Sequence, residues 1–383
     1  MMTAGGAAAA ARRSPTTALM IAFAFTLPYH VMRTAAAAGL RVHVLGSGAA
    51  RGLRMSRCCR GFHETRFRDD PEALLDEIGE LVRRHAIEVI FPSDDVSTRL
   101  LAALAGRLPV RTSPLPDLAT FDLLNDKWRF TRFCRDNGIR APQGWLFDNI
   151  GELRSALDGG EVALPITVKP VNRSGGIGVI HVRDPDELGA LDEVDYRPIL
   201  VQRHIVGETI GISVLCDRGK IVAHAVQRRD ALRFELFANA DLVDNVARLA
   251  ALTGYHGPAN FDAVVADGLS YIVECNPRLW YTIYLSMIAG INFVELAMTP
   301  AAFPQPVSVD AAEFRLSLRR ILCRPWRASR RDWQYLCYCL SDPIPFALQR
   351  TRSYDDSDVA VPVEVMAASD PTPPTVAARL AVS

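Results

Sequence analysis

The chain has 383 residues, a formal net charge of zero and 49% hydrophobic residues. This length favours two or three domains over one small core. A balanced charge excludes a global field that would favour nucleic acid or an anionic membrane surface, so we expect small-molecule partners and no nucleic acid. The eight cysteines are scattered, mostly through apolar runs, which is typical of reduced thiols and predicts a cytoplasmic protein.

The N-terminal region allows two interpretations. Residues 1–17 are rich in Ala, Gly, Arg and Thr, and we expect a disordered lead-in. The apolar run that follows is either a short export signal or a first core strand, and it is too short to span a bilayer. It continues into a helix closed by a glycine and then into a second strand, which is typical of a βαβ unit. We therefore favour a core strand, in an α/β domain over residues 18–115.

Polar residues follow a predicted strand of this domain. Pro71 to His85 predicts an amphipathic helix, and Glu88–Pro92 predicts a buried parallel strand. Ser93, Asp94 and Asp95 come directly after that strand. They either contact a ligand at the carboxyl edge of the sheet or cap the next helix, and the sequence leaves both options open.

The region over residues 116–300 alternates short strands with glycine turns. Phe121 to Asn137 predicts a single helix that carries Lys127 and ends at a glycine. Further on we expect strands on both sides of a glycine-rich turn within 161–183, strands at 199–202, 210–216, 261–265 and 271–275, and a helix at 242–253.

Lysine accounts for only three of the 43 basic residues, and two of them occupy informative positions. Lys127 lies in the predicted helix, and Lys169 ends the strand before the glycine-rich turn. A compact ammonium at these points favours phosphate contacts, although chance placement is the alternative. The turn allows the backbone to approach a polyphosphate, and an ordinary hairpin is the other interpretation. Its candidate residues are Ser174, Gly175, Gly176 and Gly178.

Carboxylates converge on the predicted pair of antiparallel strands at 261–265 and 271–275. If the turn closes at the Asp-Gly between them, Asp262 and Glu274 come to lie nearly opposite each other. Glu274 and Asn276 share one face, and three oxygen ligands then suit Mg²⁺, with Mn²⁺ as a substitute. Arg278, on the same face if the strand continues, is placed to neutralise a transferred phosphoryl group. Solvated hairpin acids are the alternative.

Two further groups of residues are candidates for recognition. Glu208, between two predicted strands, suits a ribose hydroxyl pair or is a surface acid, and the preceding backbone suits adenine; that segment consists of Gln202, Arg203, His204 and Ile205. Three arginines before the helix at 242 either pair with a substrate carboxylate or form a solvated basic loop. They are Arg228, Arg229 and Arg233.

The order and spacing of these residues resemble the ATP-grasp superfamily. Within it the chain is similar to carboxylate–amine ligases related to D-alanine–D-alanine ligase, biotin carboxylase and the carbamoyl-phosphate synthetase large subunit. The resemblance covers roughly residues 18–300. The residues that carry it are Lys127, Lys169, the glycine-rich turn, Val201, Gln202, Ile205, Gly207, Glu208, Asp262, Glu274, Asn276, Pro277 and Arg278.

The resemblance implies an α/β fold with a Rossmann-like N-terminal domain and a two-subdomain ATP-grasp module. We expect the former at 18–115, the latter at 116–300 with its lid subdomain at about 140–200, and a helical extension with a frayed tail at 301–383. Lys127 and Lys169 would contact the ATP phosphates, and Ser174 to Gly178 would cover them. Gln202 differs from the acid that many members have, and the bulky Leu279-Trp280-Tyr281 follows Arg278.

Two functions follow as hypotheses. The first is a ligase that uses Mg-ATP to activate a small carboxylate as an acyl phosphate and couples it to an amine, with Arg278 and Lys169 as catalytic residues. The second is an ATP-binding scaffold without catalysis, docking a partner or a membrane through the arginine- and aromatic-rich segment 314–340, for which an ordinary helical cap is the plainer interpretation. A homodimer remains open, and no transmembrane segment is expected.

Overall fold

The computed structural model describes residues 16–66, 70–171, 173, 176–230, 232–298 and 305–351, with the backbone alone for the last two residues. The predicted lead-in at 1–17 lies mostly outside these ranges, but its last residue already begins a strand. Residues 352–383 of the predicted tail also lie outside them. In the described parts of the chain, no helix has the length and apolar character needed to cross a membrane.

The N-terminal domain is a parallel five-stranded sheet with the order β3-β2-β1-β4-β5. Its strands are β1 (Thr17–Ala22), β2 (Arg41–Gly46), β3 (Cys59–Glu64), β4 (Val89–Pro92) and β5 (Arg111–Thr112), and its helices are α1 (Thr26–Ala37), α2 (Pro71–His85) and α3 (Asp95–Ala103). Every residue of β1 is buried, because β1 is central in the sheet. The predicted βαβ unit and the predicted helix at 71–85 are confirmed.

Two helices connect this domain to the rest: α4 (Leu118–Asn125) and α5 (Lys127–Asp136). The prediction of one continuous helix here was wrong. Asp126 interrupts it with an extended backbone (ψ 115°), and its carboxylate accepts a hydrogen bond from the Arg129 N–H at 2.8 Å. An Asp that caps the next helix ends the preceding one, because its side chain replaces the missing backbone acceptor. Lys127 thereby becomes the first residue of α5.

A small antiparallel sheet follows, with the order β6-β9-β7-β8. Its elements are β6 (Gly144–Phe147), α6 (Ile150–Asp158), β7 (Ile166–Pro170), β8 (Ile180–Val182) and β9 (Ile199–Arg203). The sheet has its own apolar core, in which Val168 and Val201 pack against Leu153 of α6. The strands predicted on both sides of the glycine-rich turn are β7 and β8.

A seven-stranded sheet forms the centre of the molecule, with the order β14-β13-β10-β11-β12-β16 and with β15 paired to β11. Its strands are β10 (Glu208–Asp217), β11 (Lys220–Arg229), β12 (Arg233–Phe237), β13 (Gly257–Ala266), β14 (Leu269–Asn276), β15 (Val307–Ser308) and β16 (Ala311–Arg315). Helix α7 (Ala240–Thr253) covers one face, where Val246 and Leu249 pack with Val214 and Phe261.

The residues after 300 belong to this architecture and do not stand apart from it. Strand β16 pairs with β12, which adds the C-terminal region to the central sheet. Helices α8 (Ile283–Ala289) and α9 (Phe293–Met298) precede this region. Its own helices are α10 (Leu318–Cys323), α11 (Arg330–Leu340) and α12 (Pro343–Thr351). In α11, Tyr335 and Tyr338 are buried core residues, whereas Trp326 before it is 77% exposed. Phe314 is buried as well, so three of the five aromatic residues of segment 314–340 are unavailable for docking.

Candidate functional site

Four charged side chains meet between the small and the central sheet. Lys169 on β7 and Lys127 at the start of α5 are both buried. Lys127 Nζ lies 3.4 Å from Glu274 Oε1 on β14. Asp262 on β13 and Glu274 occupy opposite positions of the antiparallel pair, as predicted. The site thus combines two ammonium groups with two carboxylates, drawn from three separate segments of the chain.

The environment of this cluster shifts the pKa values of two of its members. Burial lowers the pKa of Lys169 to about 8; the carboxylates of Glu274 and Asp262 oppose that shift, and the charge of Lys127 adds to it. The surface of Asp262 is accessible, but surrounding protein crowds its carboxylate, which is typical of a concave site. That desolvation, together with the charge of Glu274, raises the pKa of Asp262 to about 7. Acid and base are therefore poised near neutral pH.

Asn276 connects the carboxylates to Arg278. Its Nδ2 donates to Asp262 Oδ2 at 3.5 Å, and its Oδ1 accepts from Arg278 Nη2 at 3.2 Å. Strand β14 ends at Asn276, so Arg278 does not extend the strand face; a turn holds it, with the Arg278 N–H donating to the Asn276 carbonyl at 2.8 Å. The Arg278 side chain nevertheless reaches Asn276, one of the predicted metal ligands.

An ion pair joins this site to the N-terminal domain. The buried Arg278 guanidinium pairs with Asp95, the first residue of α3. The neighbouring Asp94 is the helix cap: its Oδ1 accepts from the Ser97 N–H at 2.8 Å, and its Oδ2 accepts from the Phe23 N–H at 2.6 Å. The capping interpretation is confirmed for Asp94. A ligand contact of this segment stays a prediction, because Asp95 contacts the Arg278 side chain.

The glycine-rich turn lies beside Lys127. Gly176 and Gly178 adopt left-handed backbone angles, with φ of 78° and 76°. The carbonyl of Arg173 accepts a hydrogen bond from Lys127 Nζ at 2.7 Å, so the turn and the lysine are in direct contact. The other two candidates of the turn, Ser174 and Gly175, lie outside the described residues.

The segment considered for adenine is the exit of β9. Gln202 turns its side chain inward, where its Nε2 donates to Thr131 Oγ1 at 2.9 Å. The N–H groups of Arg203 and His204 donate to the carbonyls of Gln143 and Pro165, at 2.8 and 2.9 Å. These two N–H groups already have acceptors, so an adenine ring would need backbone donors that follow His204 in the chain.

The residues considered for ribose and for a substrate carboxylate lie on neighbouring strands. Glu208 begins β10 and forms an ion pair with Arg228. A solvated loop was one of the two interpretations of the arginines, but they lie on strands, at the turn end of the β11–β12 hairpin. Arg228 also pairs with Glu235 at 3.0 Å, and Arg233 pairs with Glu313 at 3.2 Å. Arg229 forms no ion pair with any described residue; its guanidinium lies 5.6 Å from the centre of the Tyr281 ring.

Comparisons with known proteins agree with this geometry. A family model described as "ATP-grasp in the biosynthetic pathway with Ter operon" matches residues 195–319. The carbamoyl phosphate synthase large chain of Clostridium beijerinckii is 25% identical over 198 residues, which cover 46% of this chain and 18% of that protein. The chain spans under a fifth of the length of the curated relatives it matches.

Solved structures of ligases share the fold. An L-amino acid ligase from Bacillus licheniformis aligns with a TM-score of 0.55 and 19% identity, over 75% of this chain and 74% of that one. The biotin carboxylase domain of Hydrogenobacter thermophilus 2-oxoglutarate carboxylase, solved as a dimer with MgADP, ADP and bicarbonate, aligns with a TM-score of 0.56 and 17% identity, over 73% and 68%. Residues 195–319 thus match an ATP-grasp family, and the chain shares the fold of these enzymes.

The sequence motifs identified one half of the site better than the other. Lys127, Lys169, Asp262 and Glu274 could be predicted because each lies in a helix or strand that the sequence indicates, although the helix start at Lys127 was missed. Asp95 and the Arg173 carbonyl were not assigned to the site. The only sequence signal for Asp95 was its position after a buried strand, and a backbone carbonyl leaves no signal at all.

Proposed function

We propose that the chain is an ATP-grasp ligase that uses Mg-ATP to join a small carboxylate to an amine. The observation that carries the proposal is the meeting of the buried Lys127 and Lys169 with Asp262 and Glu274, beside the buried Arg278. A pure binding protein needs no buried guanidinium next to such a cluster, whereas phosphoryl transfer needs cations placed where charge develops.

The residues present fit a triphosphate and Mg²⁺. Two carboxylates face each other across β13 and β14, and their repulsion helps to hold the pKa of Asp262 near 7, which a divalent cation would relieve. Asp262, Glu274 and Asn276 would hold the cation, which would neutralise phosphate charge. Lys127 and Lys169 would contact phosphate oxygens, and Lys127 would exchange the Arg173 carbonyl for them.

Arg278 takes the role of charge stabiliser in this proposal. Its Nη2 donates to the Asn276 amide oxygen, the atom with which an amide binds Mg²⁺. Metal binding through that oxygen would release one guanidinium N–H toward the transferred phosphoryl group. Asp95 would keep the guanidinium in place throughout, which makes it a positioning residue.

The proposed reaction has two balanced steps. A carboxylate oxygen of the substrate bonds to the γ-phosphorus as the bond to ADP breaks, which gives an acyl phosphate. The amine then bonds to the acyl carbon, phosphate leaves, and the amine proton passes to solvent. Arg278 and Lys169 lie where negative oxygens develop in the first step, so both contribute to the rate of phosphoryl transfer.

The carboxylate substrate is assigned to the neighbourhood of Arg229. A cavity of about 340 Å³ at the end of the β11–β12 hairpin is lined by Arg228, Arg229, Arg233 and four further residues. Arg228 and Arg233 already form ion pairs with carboxylates of described residues. Arg229 forms none with them, so we expect it to bind the external anion. We expect Arg229→Gln to raise the KM for the carboxylate, whereas Arg233→Gln leaves it nearly unchanged.

The test is release of ADP and phosphate from Mg-ATP in the presence of pooled amino acids and small carboxylates. We expect stimulated release that Glu274→Gln abolishes and that Arg278→Ala lowers about 100- to 1000-fold, the usual loss for one charge-stabilising donor. Dividing the pools then identifies both substrates.

Thermal protection by Mg-ATP serves as the folding control, because a ligand that binds only the folded state stabilises it. Arg278→Ala should retain this protection. If the wild-type chain is protected by Mg-ATP but releases no ADP with any pool, the ligase proposal is wrong and the chain is an ATP-binding scaffold.

A further inference from the structure

Three histidines come together at the edge of the N-terminal sheet, remote in sequence from the ATP-grasp motifs. His43 lies on β2, His63 on the edge strand β3, and His85 is the last residue of α2. One ring nitrogen from each lies within 4.8 Å of the corresponding nitrogens of the other two. His43 Nδ1 and His63 Nε2 are 3.4 Å apart.

The fold brings these rings together through strand register. His43 pairs with Gly61 and Leu45 pairs with His63, so His43 and His63 project from the same face of the sheet. Leu45 of that face packs against Leu74, Ile78 and Leu81 of α2, and the end of α2 therefore delivers His85 to the same place. Gly61 leaves room between the rings, since a Cβ there would lie 3.0 Å from His43 Nδ1.

The chemistry of this cluster suits a transition metal better than Mg²⁺. Imidazole nitrogens favour Zn²⁺, Ni²⁺, Co²⁺ and Cu²⁺, whereas Mg²⁺ and Ca²⁺ require oxygen ligands. Two nitrogens that each lie about 2.0–2.1 Å from a tetrahedral Zn²⁺ are about 3.3–3.4 Å apart, which matches the His43–His63 separation. A buried ring nitrogen of His85, Nε2, has no hydrogen-bond partner among the described residues.

For two of the three rings, the surroundings favour the neutral form. Partial burial, with the charges of His85 and His63, lowers the pKa of His43 to about 4, and burial with His85 and Arg84 also lowers the pKa of His63. Neutral imidazoles offer free lone pairs at pH 7.

The surrounding charges act in both directions. Arg41, Arg60 and Arg84 oppose a cation, although Arg84 pairs with Glu80 and Arg41 donates to Thr17. His85 lies at the C-terminal end of α2, where the negative end of the helix dipole favours a bound cation.

We propose that His43, His63 and His85 form a binding site for a divalent transition metal of the Zn²⁺ class. Bound there, the ion fastens the edge strand β3 to the end of α2 and leaves one coordination position for water or an external ligand. The site uses no residue of the proposed ATP site and does not depend on the proposed ligase activity.

The test is equilibrium dialysis of the full chain against Zn²⁺ in excess Mg²⁺, with metal content measured directly. We expect one tightly held Zn²⁺ per chain, lost in His63→Ala by about 100-fold in affinity or more, since even outer-shell changes cost about 10- to 100-fold. Gly61→Ala keeps all three ligands but places a methyl group between them, so it should also weaken binding. The melting temperature should rise with Zn²⁺ in the wild type and in neither variant.

Two matched controls separate this site from other ligands. His256→Ala removes a histidine that lies beside Asp217, outside the cluster, and Glu274→Gln removes an oxygen ligand of the ATP site. Both should retain the wild-type Zn²⁺ affinity. Equal Zn²⁺ binding by the wild type and His63→Ala would assign the metal to cysteines or carboxylates and overturn the proposal, as would absence of binding by the wild type.

Discussion

At the scale of single residues, the site is defined by how its charges alter one another. Lys169 is buried, and its ammonium is retained because Glu274 and Asp262 offset part of the desolvation. Asp262 is crowded by protein and repelled by Glu274, so it holds a proton to an unusually high pH. Neither residue would behave in this way alone, which makes the pH dependence of binding a direct report on the cluster.

The apparent kcat/KM for Mg-ATP should follow a bell-shaped pH profile. Mg²⁺ binding needs the Asp262 carboxylate, whose pKa is raised to about 7, so activity should rise with pH up to that region. Phosphate binding needs the Lys169 ammonium, whose pKa is lowered to about 8, so activity should fall above it. Steady-state kinetics across this range checks both limbs, and a flat profile from about pH 6 to 9 would contradict the assignment.

The raised pKa of Asp262 has the opposite effect on stability: rising pH favours Mg²⁺ binding but lowers the free energy of unfolding. Because folded Asp262 keeps its proton when the unfolded chain has released it, its contribution to the free energy of unfolding falls as pH rises from about 4 to about 7. Saturating Mg²⁺ should remove that loss, since bound metal favours the ionised carboxylate. Melting curves of the apo and Mg²⁺-loaded chain at several pH values separate the two cases.

At the scale of elements, the sequence predicted the features that depend on residues close together in the chain. The helix at 71–85 and the opposition of Asp262 and Glu274 follow from periodicity and one Asp-Gly turn. The hairpin β11–β12 was missed because arginines crowd the ends of both strands and resemble a loop, although their carboxylate partners stand on the neighbouring strands. The ion pair of Asp95 with Arg278 was out of reach, because it joins two domains.

The break between α4 and α5 positions Lys127, which leads to a prediction for its cap. Asp126→Ala removes the acceptor of the Arg129 N–H and should cost about 0.5–2 kcal/mol of stability. Because Lys127 is the next residue, the KM for ATP should also rise. Thermal unfolding and steady-state kinetics measure the two effects.

Asp70→Ala is the matched control for this prediction. Asp70 caps α2 in the same way, accepting from the N–H groups of Glu72 and Ala73 at 3.2 and 3.1 Å. It should lower stability by a similar amount and leave the KM for ATP unchanged. An equal change of KM in both variants would show that the cap of α5 has no specific role in the site.

At the scale of the whole molecule, the C-terminal helices complete the N-terminal domain. The guanidinium of Arg33 on α1 is buried; it donates to the Tyr338 carbonyl at 2.6 Å and to Ser341 Oγ at 2.7 Å, and it lies 3.5 Å from the Tyr338 ring centre. His30 Nδ1 of the same helix shares a hydrogen bond of 2.9 Å with the Tyr338 hydroxyl. Sequence alone treated residues 301–383 as an extension, since these contacts join positions about 300 residues apart.

Replacing Arg33 should therefore destabilise the molecule without touching the ATP site. Arg33→Met removes the hydrogen bonds that the guanidinium donates to the Tyr338 carbonyl and to Ser341 Oγ, and the expected loss is about 1–3 kcal/mol. Arg218→Met, at an arginine whose side chain is 83% exposed, should change stability by less than about 0.5 kcal/mol. Denaturant unfolding of both variants decides, and similar stabilities would show that the Arg33 contacts contribute little.

The return of the C-terminal helices to α1 also has a consequence for biosynthesis. Arg33 leaves the ribosome 305 residues before Tyr338, its partner in the finished fold. At translation rates of about 5–20 residues per second, that interval lasts about 15–60 s. During it, the Arg33 guanidinium lacks the hydrogen bonds and the ring contact that α11 and the residue after it provide. We expect the nascent N-terminal domain to need protection from aggregation until α11 has been made.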